Sequence, residues 1–302
     1  TITFFINFFY NKCLFKYTFL ILMKLNLDDI TFIIVTYQSE KIIKNCLDSL
    51  PRESKKIIIE NSNNINLDKE LRDKYDNIEV IFSENLGMGA GNNIGLKSCK
   101  TNYAYVLNPD TKFNKDTIPN LLETLNGISD FTLASPLNDN KNFPNFKKKE
   151  KETSKNKNFI SVDSIDGFSM LFNLQKFKDK TYFDENFFLY LENDDLCLRV
   201  KQKKEFIYII TNSLINHKGS ISSDDNLENL RNWHWMWSKF YYNKKHYGFL
   251  IAIKNTFFNF TGALIKYFIF LIFFQEKKKK IYEMRIKGIF NAFIGKESWF
   301  RI

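Results

Sequence analysis

Short runs of β-branched, apolar residues alternate with helical patterns from residue 29 onward, and this alternation limits the fold most strongly. The first run, Ile30–Thr36, has the continuous apolar character of a parallel strand that is buried on both faces. Ser39 is placed to cap a helix that ends near Leu50. The pattern then predicts another helix at 91–98. Strands that are separated by helices imply a mostly parallel, doubly wound α/β sheet. The further predicted strands are residues 56–60, Ile78–Phe82 and Tyr103–Leu107.

Polar side chains follow two of these strands at the point where each strand ends. Glu60 and Asn61 follow the second strand, and Asn108 and Asp110 follow the fourth. Ligands of doubly wound sheets bind outside the carboxyl ends of the strands, so these residues are candidates for a site. Asp110 can hold Mg²⁺ or Mn²⁺ against a diphosphate, because hard cations prefer oxygen ligands and keep substrate phosphates as partners. An ordinary Asn-Pro-Asp turn is the alternative.

Residues 85–95 contain four glycines in a predicted strand-to-helix turn. Glycine lets the backbone approach a ligand, and the N-terminus of a helix offers free N–H groups to anions. The spacing matches neither GxGxxG nor GxxxxGK[ST], which disfavours a dinucleotide-binding dehydrogenase and a P-loop. From spacing alone, a bare glycine turn remains the alternative.

An aromatic run at residues 187–191 leads directly into an acidic cluster, Glu192, Asp194 and Asp195. We expect the aromatic side chains to be buried and to bring the carboxylates to the edge of the apolar layer, where loss of water raises their pKa values. Such acids suit a general base or a metal site. The alternative is the start of a helix, with Asn193 or Asp194 as its N-cap.

Two later stretches also end near the rim of the predicted sheet. Asp166 and Gly167 enter a strand that runs to residue 172, and a strand at 205–210 leads to His217. His217 is therefore a candidate metal ligand or phosphate-binding residue, although a lone histidine is more often neither. Residues 138–158, rich in lysine and asparagine, are predicted to be a mobile loop.

The formal net charge of +10 favours partners that carry phosphate or present an anionic surface. The lysine clusters at 147–149 and 277–280 are not interleaved along an aromatic-bearing sheet, so they fit a membrane surface better than nucleic acid. The four cysteines form no CxxC pair. Neither a zinc site nor a disulfide framework is indicated, and a reducing cytoplasm is the default compartment.

The two ends of the sequence differ from the middle. Residues 1–28 form an N-terminal apolar segment in which polar positions interrupt every run of spanning length, and we expect the functional start at Met23. A catalytic domain is predicted at 29–232, and an aromatic, basic, helical region at 233–302. Residues 249–274 keep one polar helical face, which predicts a helix lying in a membrane interface beside the lysines at 277–280. A helix packed on the catalytic domain is the alternative.

In their order and spacing, these segments resemble the inverting nucleotide-sugar glycosyltransferases of family 2, and within them the rhamnosyltransferase-like branch. The resemblance covers about residues 29–250 and includes residues 33–37, 59–62, 85–95, 107–111, 166–167 and 190–199. It implies the GT-A nucleotide-diphospho-sugar transferase fold with a C-terminal helical appendage that associates with a membrane. It also implies transfer of a sugar, suggested to be rhamnose by the branch, from a dTDP- or UDP-sugar to an acceptor. The membrane-like C-terminal region suggests a glycan or lipid-linked acceptor in cell-surface polysaccharide synthesis. The enzyme would use Mg²⁺ or Mn²⁺ and lie peripherally on the cytoplasmic face of the inner membrane.

The resemblance also implies roles for individual residues. Glu60 stands where the family usually has Asp, and Asn108 replaces the first acid of the DxD motif. Asp110 matches the last acid of that motif and is the expected metal ligand, with His217 completing the metal site as in some members. The acceptor is expected to lie beside Asp166, Gly167 and Phe168. The residues expected to bind the nucleotide-sugar are Thr36, Tyr37, Glu60, Asn85, Gly87, Asn93, Asn108 and Asp110.

The family's base commonly lies in a Glu-Asp-x-Asp motif, where Asn193 occupies the usual base position. Asparagine cannot usefully accept a proton at neutral pH, so Glu192, Asp194 or Asp195 would serve as the base. We favour Glu192 for its proximity to the aromatic run and Asp195 for its match to the last acid of the motif. Asn108 and Asn193 also leave a second hypothesis, a catalytically impaired GT-A protein that binds nucleotide-sugar or glycan at the membrane.

Overall fold

The computed structural model describes residues 24–148, 158–217, 219 and 225–301. Residues 1–23 of the predicted N-terminal segment 1–28, including the predicted start at Met23, lie outside the described residues. So do residues 149–157 of the predicted mobile loop.

The first part of the chain alternates strands with helices, as the sequence predicts. All seven residues of its first strand are buried, because helices cover both faces of a sheet built in this way. The second predicted helix begins three residues earlier than expected, so the glycine run forms its first turns. The elements are β1 (Ile30–Thr36), α1 (Glu40–Leu47), β2 (Lys55–Glu60), α2 (Ile65–Lys74), β3 (Ile78–Phe82), α3 (Met88–Ser98) and β4 (Tyr103–Leu107).

The following part carries shorter strands and two more helices. Its last strand continues well beyond the predicted residues 205–210 and ends at His217. The elements are β5 (Thr111–Phe113), α4 (Thr117–Asn126), β6 (Leu133–Asn138), β7 (Phe146–Lys147), β8 (Phe159–Ser161), β9 (Ser164–Ile165), β10 (Ser169–Asn173), α5 (Glu192–Gln202) and β11 (Ile207–His217).

The main sheet has the strand order β3-β2-β1-β4-β10-β6-β11-β5, with β8 also paired to β11. Strands β3, β2, β1 and β4 are parallel, as predicted. Beyond them the sheet is mixed, since β10 runs antiparallel to both of its neighbours, β4 and β6. This reversal brings the start of β10 beside the end of β4, with Ser169 opposite Leu107. Residues that the sequence places far apart therefore meet at one edge of the sheet.

The described part of the predicted mobile loop is anchored to the fold. The side chain of Asn145 is buried, and its Nδ2 donates a hydrogen bond of 2.9 Å to the carbonyl oxygen of Pro136. Its Oδ1 accepts a bond of 2.9 Å from the backbone N–H of Asn138. Strand β7 pairs with β9. The prediction of a mobile loop is therefore wrong for residues 138–148, because an asparagine-rich segment can be held by amide hydrogen bonds without apolar packing.

Three long helices complete the chain: α6 (Asp225–Tyr247), α7 (Phe249–Ile272) and α8 (Glu276–Phe293). They pack around a core of their own, in which Trp233, Trp237 and Phe240 from α6 contact Met284 and Ile289 from α8. Helix α6 spans the predicted domain boundary between residues 232 and 233. Among the described residues, α7 alone is long and apolar enough to cross a membrane by length and composition, and only 11% of its most apolar window is buried.

Candidate active site

The carboxyl ends of β1, β2 and β3 open onto two adjoining cavities, which share Tyr37 and Asn61. One cavity, of about 450 Å³, also contacts Phe82 and Glu84 near the end of β3. The second cavity, of about 380 Å³, is lined by several segments, among them the glycine turn, the turn after β4, the segment before α5 and the residues after α8. Their lining residues are Asn85, Gly87, Met88, Pro109, Phe188, Leu189 and Arg301. We call the two cavities together the strand-end cleft.

A larger cavity, of about 610 Å³, lies at the other end of the sheet beside Thr31, Lys55 and Ile78. None of the predicted site residues lines it. Because ligands of such sheets bind at the carboxyl ends of the strands, we place the candidate site in the strand-end cleft despite its smaller cavities.

Glu60 ends β2 beneath the strand-end cleft, next to Asn61, and it does not itself line either cavity. Its carboxylate is fully buried and accepts hydrogen bonds from the Thr36 hydroxyl at 2.5 Å and from the Ser62 backbone N–H at 2.7 Å. Thr36 is therefore committed to holding Glu60. Tyr37 is 41% exposed in the cleft, and the buried Oδ1 of Asn61 has no hydrogen-bond partner in the described structure. Asn61 can therefore accept a hydrogen bond from a ligand.

The glycine turn packs directly against the segment that precedes α5. Gly87 has a φ of +109°, and a Cβ at this position would collide with the carbonyl of Phe188. The backbone N–H of Met88 donates to that carbonyl at 3.1 Å. Only glycine allows this close approach, which places Phe188 on the wall of the cleft. Asn85 accepts a bond of 3.3 Å from the Gly87 N–H and also lines the cleft.

Asn93 does not lie where the resemblance places it, beside the nucleotide-sugar. It is buried, its Nδ2 donates to the Phe183 carbonyl at 2.9 Å and to Glu185 at 2.8 Å, and its Oδ1 accepts from the Phe183 N–H at 3.0 Å. Both ends of the amide are thus occupied by the segment that leads to α5. In this structure Asn93 positions that segment and does not line the cavities of the cleft.

The predicted metal ligands are brought together although they are distant in sequence. The Oδ1 of Asp110 lies 3.3 Å from the Nε2 of His217. Strand β11 pairs with β5, which sets His217 opposite Thr111. The ring of Phe168 stacks on His217, with centroids 4.1 Å apart, and its carbonyl accepts from the Asn108 N–H at 2.9 Å. The fold thus places the Asn108 turn, His217 and Phe168 side by side.

The donor set of this cluster fits a divalent ion that is shared with a substrate. In the described residues, no group of three or more His, Cys, Asp or Glu side chains could hold a metal ion by itself. Asp110 and His217 offer one carboxylate and one imidazole. Mg²⁺ and Mn²⁺ at phosphate-transferring sites commonly take few protein ligands and complete their coordination with waters and phosphate oxygens, so a partial set is compatible with them.

Helix α5 begins at Glu192, and the predicted N-caps Asn193 and Asp194 are wrong. Leu191 is the N-cap, and it and Tyr190 have left-handed backbone conformations, with φ of +66° and +71°. This turn directs the chain from the aromatic run into the helix. Asn193 lies one residue inside the helix, where its Nδ2 donates to the Ile165 carbonyl at 2.9 Å.

The three acids of α5 have different surroundings. Asp195 is fully buried and is bound by Arg199 at 2.9 Å, Lys245 at 2.5 Å and His246 at 2.8 Å. These last two belong to α6, so Asp195 joins the sheet domain to the C-terminal helices. Asp194 lies 2.7 Å from the amine of Lys147. Both carboxylates are engaged by cations.

Glu192 is the exception among these acids. It is 8% exposed, and its buried Oε2 has no hydrogen-bond partner in the described part of the chain. Burial raises its pKa to about 7, and the nearby Asp194 adds to the shift. A Cβ built on Gly89 would lie 3.6 Å from the Cβ of Glu192, so Glu192 packs against the first turn of α3, beside the Gly87 and Met88 that line the cleft.

The predicted acceptor residues lie between the His217 cluster and α5. Burial raises the pKa of Asp166, and Asp194 adds to the rise, while Lys147 and His217 oppose it. A Cβ at Gly167 would lie 3.5 Å from the Cβ of Asn193. Asp166, Gly167 and Phe168 therefore connect the candidate metal ligands to the acids of α5.

Arg301 is the charged residue of the second cavity, and sequence reasoning missed it. Arg301 lines the cleft, with its guanidinium 3.6 Å from the centroid of the Phe188 ring. No spacing links an arginine beyond the last helix to the glycine turn, so only the folded chain reveals this neighbour.

With the geometry established, comparison with known proteins identifies the family. The family model described as Glycosyl transferase family 2 matches residues 31–197, which is more than half of the chain. This chain belongs to glycosyltransferase family 2. The family prediction is thereby confirmed. Its rhamnosyltransferase-like branch stays a prediction.

This glycosyltransferase is similar to a curated relative, the low-salt glycan biosynthesis hexosyltransferase Agl10 of Haloferax volcanii. The two are 28% identical over 198 residues, which is 59% of this chain and 63% of the relative. The chain therefore aligns with less than two thirds of that relative's length.

Solved structures show the GT-A fold for the glycosyltransferase. The mannosyltransferase PcManGT from Pyrobaculum calidifontis, in complex with GDP-Man and Mn²⁺, superposes with a TM-score of 0.55 at 10% identity and covers 89% of each chain. GalNAc-T7 with UDP, GalNAc and Mn²⁺ gives a TM-score of 0.54 at 14% identity, covering 72% of this chain and 50% of the other. The predicted GT-A fold class is confirmed.

Proposed function

We propose that this glycosyltransferase moves a sugar from a nucleoside-diphosphate donor to a hydroxyl group of a glycan or lipid-linked acceptor, with inversion at the anomeric carbon. One observation carries the proposal, the buried Glu192 carboxylate beside the strand-end cleft, whose Oε2 has no hydrogen-bond partner among the described residues. A carboxylate whose pKa is raised to about 7 suits a general base at neutral pH. Glycosyl transfer to a hydroxyl group needs such a base.

The strand-end cleft supports a nucleoside-diphosphate donor. Tyr37 and Asn61 line both of its cavities, so they would contact the nucleoside. Pro109 lines the second cavity, and the next residue is Asp110. The diphosphate would therefore lie toward Asp110 and His217. These two side chains would hold Mg²⁺ or Mn²⁺. When bound, the ion would neutralise charge on the diphosphate as it leaves.

Glu192 would accept the proton of the acceptor hydroxyl while the acceptor oxygen bonds to the anomeric carbon and the bond to the diphosphate oxygen breaks. A single in-line displacement of this kind inverts the configuration. Asp194 and Asp195 remain predicted alternatives, but Lys147 already pairs with Asp194, and Arg199, Lys245 and the His246 ring bind Asp195. A proton transferred to either acid would have to weaken these ion pairs. We therefore assign the base to Glu192.

The named activities of similar proteins support a donor of this class and widen the choice of sugar. PcManGT is a mannosyltransferase solved with GDP-Man, and the relative Agl10 is a hexosyltransferase of glycan biosynthesis. A hexose is therefore a candidate beside the rhamnose that the branch resemblance suggests, and a GDP-sugar is a candidate beside dTDP- and UDP-sugars. Agl10 also supports a role in assembling a glycan, with a cell-surface polysaccharide as our predicted product.

The C-terminal helices support a peripheral position on the cytoplasmic face of the inner membrane. Helix α7 exposes large apolar side chains, including Leu250 at 79% and Phe258 at 83%. Lysines at 277–280 follow at the start of α8, where they would meet anionic headgroups. An acceptor that carries a lipid would be delivered at the same surface.

The test measures release of nucleoside diphosphate from a panel of UDP-, dTDP- and GDP-sugars with Mn²⁺ and a hydroxyl acceptor. We expect Glu192→Gln to lower kcat by about 10²-fold to 10⁴-fold, as for other general bases. Because Glu192 must be ionised to accept a proton, kcat/KM of the wild type should fall as the pH drops below about 7.

Glu123 is exposed on α4, so Glu123→Gln serves as the matched control and should keep full activity. A Glu192→Gln variant with the activity of this control would refute the assigned base. Nucleotide binding by a wild type that turns over no donor would instead support the catalytically impaired alternative.

A further inference from the structure

The chain returns to the sheet domain after α8. Residues 296–301, which we call the C-terminal segment, are fixed by buried side chains of α6. The Nε1 of Trp237 donates to the Lys296 carbonyl at 2.9 Å. His234 bonds the Ser298 hydroxyl through Nδ1 at 2.9 Å and the Phe300 carbonyl through Nε2 at 2.8 Å. A carbonyl oxygen can only accept, so Nε2 carries the proton, and burial keeps His234 neutral by lowering its pKa to about 4.

This anchoring brings Arg301 to the wall of the strand-end cleft. Its guanidinium stacks 3.6 Å from the centroid of Phe188, whose carbonyl is bound by Met88 in the glycine turn. Nη1 donates to the carbonyls of Ser298 at 2.7 Å and Phe300 at 3.0 Å. These two bonds and the stacking fix the plane of the guanidinium, and Arg301 lines the cavity of about 380 Å³.

Among the described residues, no carboxylate lies within ion-pair distance of the Arg301 guanidinium. The acids of α5 pair with other groups, as Asp194 does with Lys147 and Asp195 with Arg199 and Lys245. The other wall of the cavity contains Tyr37, Asn61 and Pro109, and none of these carries a charge. An arginine held by backbone carbonyls and an aromatic face, beside an otherwise uncharged cavity, is suited to an anionic ligand.

We propose that Arg301 binds the diphosphate of the nucleotide-sugar donor and that the C-terminal segment is thus part of the donor site. This inference rests on the proposed function. A donor diphosphate, the Asp110 carboxylate and one divalent ion together keep a net charge of about −1. Arg301 supplies the missing positive charge from the side of the cleft opposite the strand ends. Its planar fork can bind two phosphate oxygens at once, which a lysine cannot do.

A purely structural role for Arg301 predicts something different. Its bonds to Ser298 and Phe300 could hold the C-terminal segment in place without any contact to a ligand. Loss of such a role would disturb the whole cavity and lower the affinity for nucleoside and for nucleoside diphosphate alike. Loss of a phosphate contact would lower the affinity for the nucleoside diphosphate alone. The difference between the two ligands therefore separates the two roles.

The experiment is calorimetric titration of the full chain with UDP, dTDP and GDP, and with uridine, thymidine and guanosine, each in the presence of Mn²⁺. For the nucleotide that the wild type binds, we expect Arg301→Gln to lower the affinity for the diphosphate by about 10-fold to 100-fold, as for a lost hydrogen bond to a charged group. The affinity for the nucleoside should stay unchanged. Arg301→Lys should recover part of the loss, because it keeps the charge but not the fork.

Arg52→Gln is the matched control, since the Arg52 side chain is 90% exposed and pairs with Asp76 at 3.4 Å. Wild-type affinity for the diphosphate in both Arg301 variants, or an equal loss for nucleoside and diphosphate, would overturn the inference while leaving the proposed function intact. A wild type that binds none of the three diphosphates would overturn the proposed function and this inference with it. Thermal melting of each variant against Arg52→Gln shows whether the fold is kept, and Arg301→Lys decides the question if Arg301→Gln fails to fold.

Discussion

Most large apolar side chains are buried in the sheet domain, but many of them are exposed on the C-terminal helices. In the sheet domain the aromatic residues of the central strands, such as Phe32, Tyr105 and Phe172, are completely buried. In the C-terminal helices, Phe258 and Phe274 are 83% and 86% exposed although α6 and α8 enclose a core. A soluble surface rarely carries so continuous an apolar face. The difference is why we propose an apolar membrane surrounding for the second region and none for the first.

Buried charges connect these two regions. Asp184 and Asp195 of the sheet domain bind Lys245 of α6 at 2.7 and 2.5 Å, and Asp195 also binds His246 at 2.8 Å. The Ser238 hydroxyl on α6 donates to the Leu189 carbonyl at 2.8 Å. The helices are therefore fixed to the segment that carries Glu192, and a variant that breaks this junction tests whether the two regions stand as one unit.

The largest effect is expected from Asp195→Asn. The change leaves Arg199, Lys245 and His246 without their shared buried carboxylate, and breaking a buried ion pair costs about 3–5 kcal/mol in the free energy of unfolding. Urea unfolding followed by tryptophan fluorescence measures the loss. Asp76→Asn, at a side chain that is 70% exposed, is the control. Equal stability of the two variants would show that the junction contributes nothing.

A smaller effect, on membrane binding alone, is expected from Phe258→Asp on α7. Removing one inserted aromatic side chain costs about 1.5–3 kcal/mol, which lowers partition to anionic vesicles roughly 10-fold to 100-fold. The matched control is Phe143→Asp, because Phe143 is 70% exposed but lies in the sheet domain. Flotation with vesicles separates the two cases. If both variants, or neither, lose binding, the contrast between the regions is wrong as stated.

The smallest effect is expected from Lys147→Ala. The Lys147 side chain is 64% exposed, so its 2.7 Å pair with Asp194 contributes less than about 1 kcal/mol to stability, as is usual for exposed pairs. Urea unfolding of Lys147→Ala beside Asp195→Asn checks this directly. A loss above about 2 kcal/mol would place Asp194 with Asp195 among the buried ionic contacts, against the distinction drawn here.

Local patterns predicted the elements of the sheet domain well, because each depends on residues that are close in sequence. Ile78–Phe82 and Tyr103–Leu107 are strands with the predicted bounds. The start of α5 was predicted less well. Its N-cap is Leu191 in a left-handed conformation that no capping rule favours, and contacts of the preceding aromatic run with the glycine turn and α6 hold it there.

Among the predicted site residues, the sequence could supply chemistry but not surroundings. Glu192 and Asp195 are three positions apart in one acidic run, and nothing in the run distinguishes them. Among the described residues, the fold leaves Oε2 of the first without a hydrogen-bond partner. It gives the second Arg199, Lys245 and His246, the last two from α6. Asn93 likewise belongs to the glycine-rich stretch in sequence, yet its side-chain amide hydrogen-bonds the Phe183 backbone.

The sequence by itself determined the α/β class, the family and the strand ends at which polar residues collect, because periodicity and motif spacing are local properties. Tertiary structure alone decided that the later sheet is mixed, that His217 meets Asp110, that Asp195 is enclosed by cations, and that Arg301 reaches the strand-end cleft. Each of these depends on pairing between elements far apart in the chain. Burial and charge at a given residue are set by those neighbours, so they cannot be read from the residue's own segment.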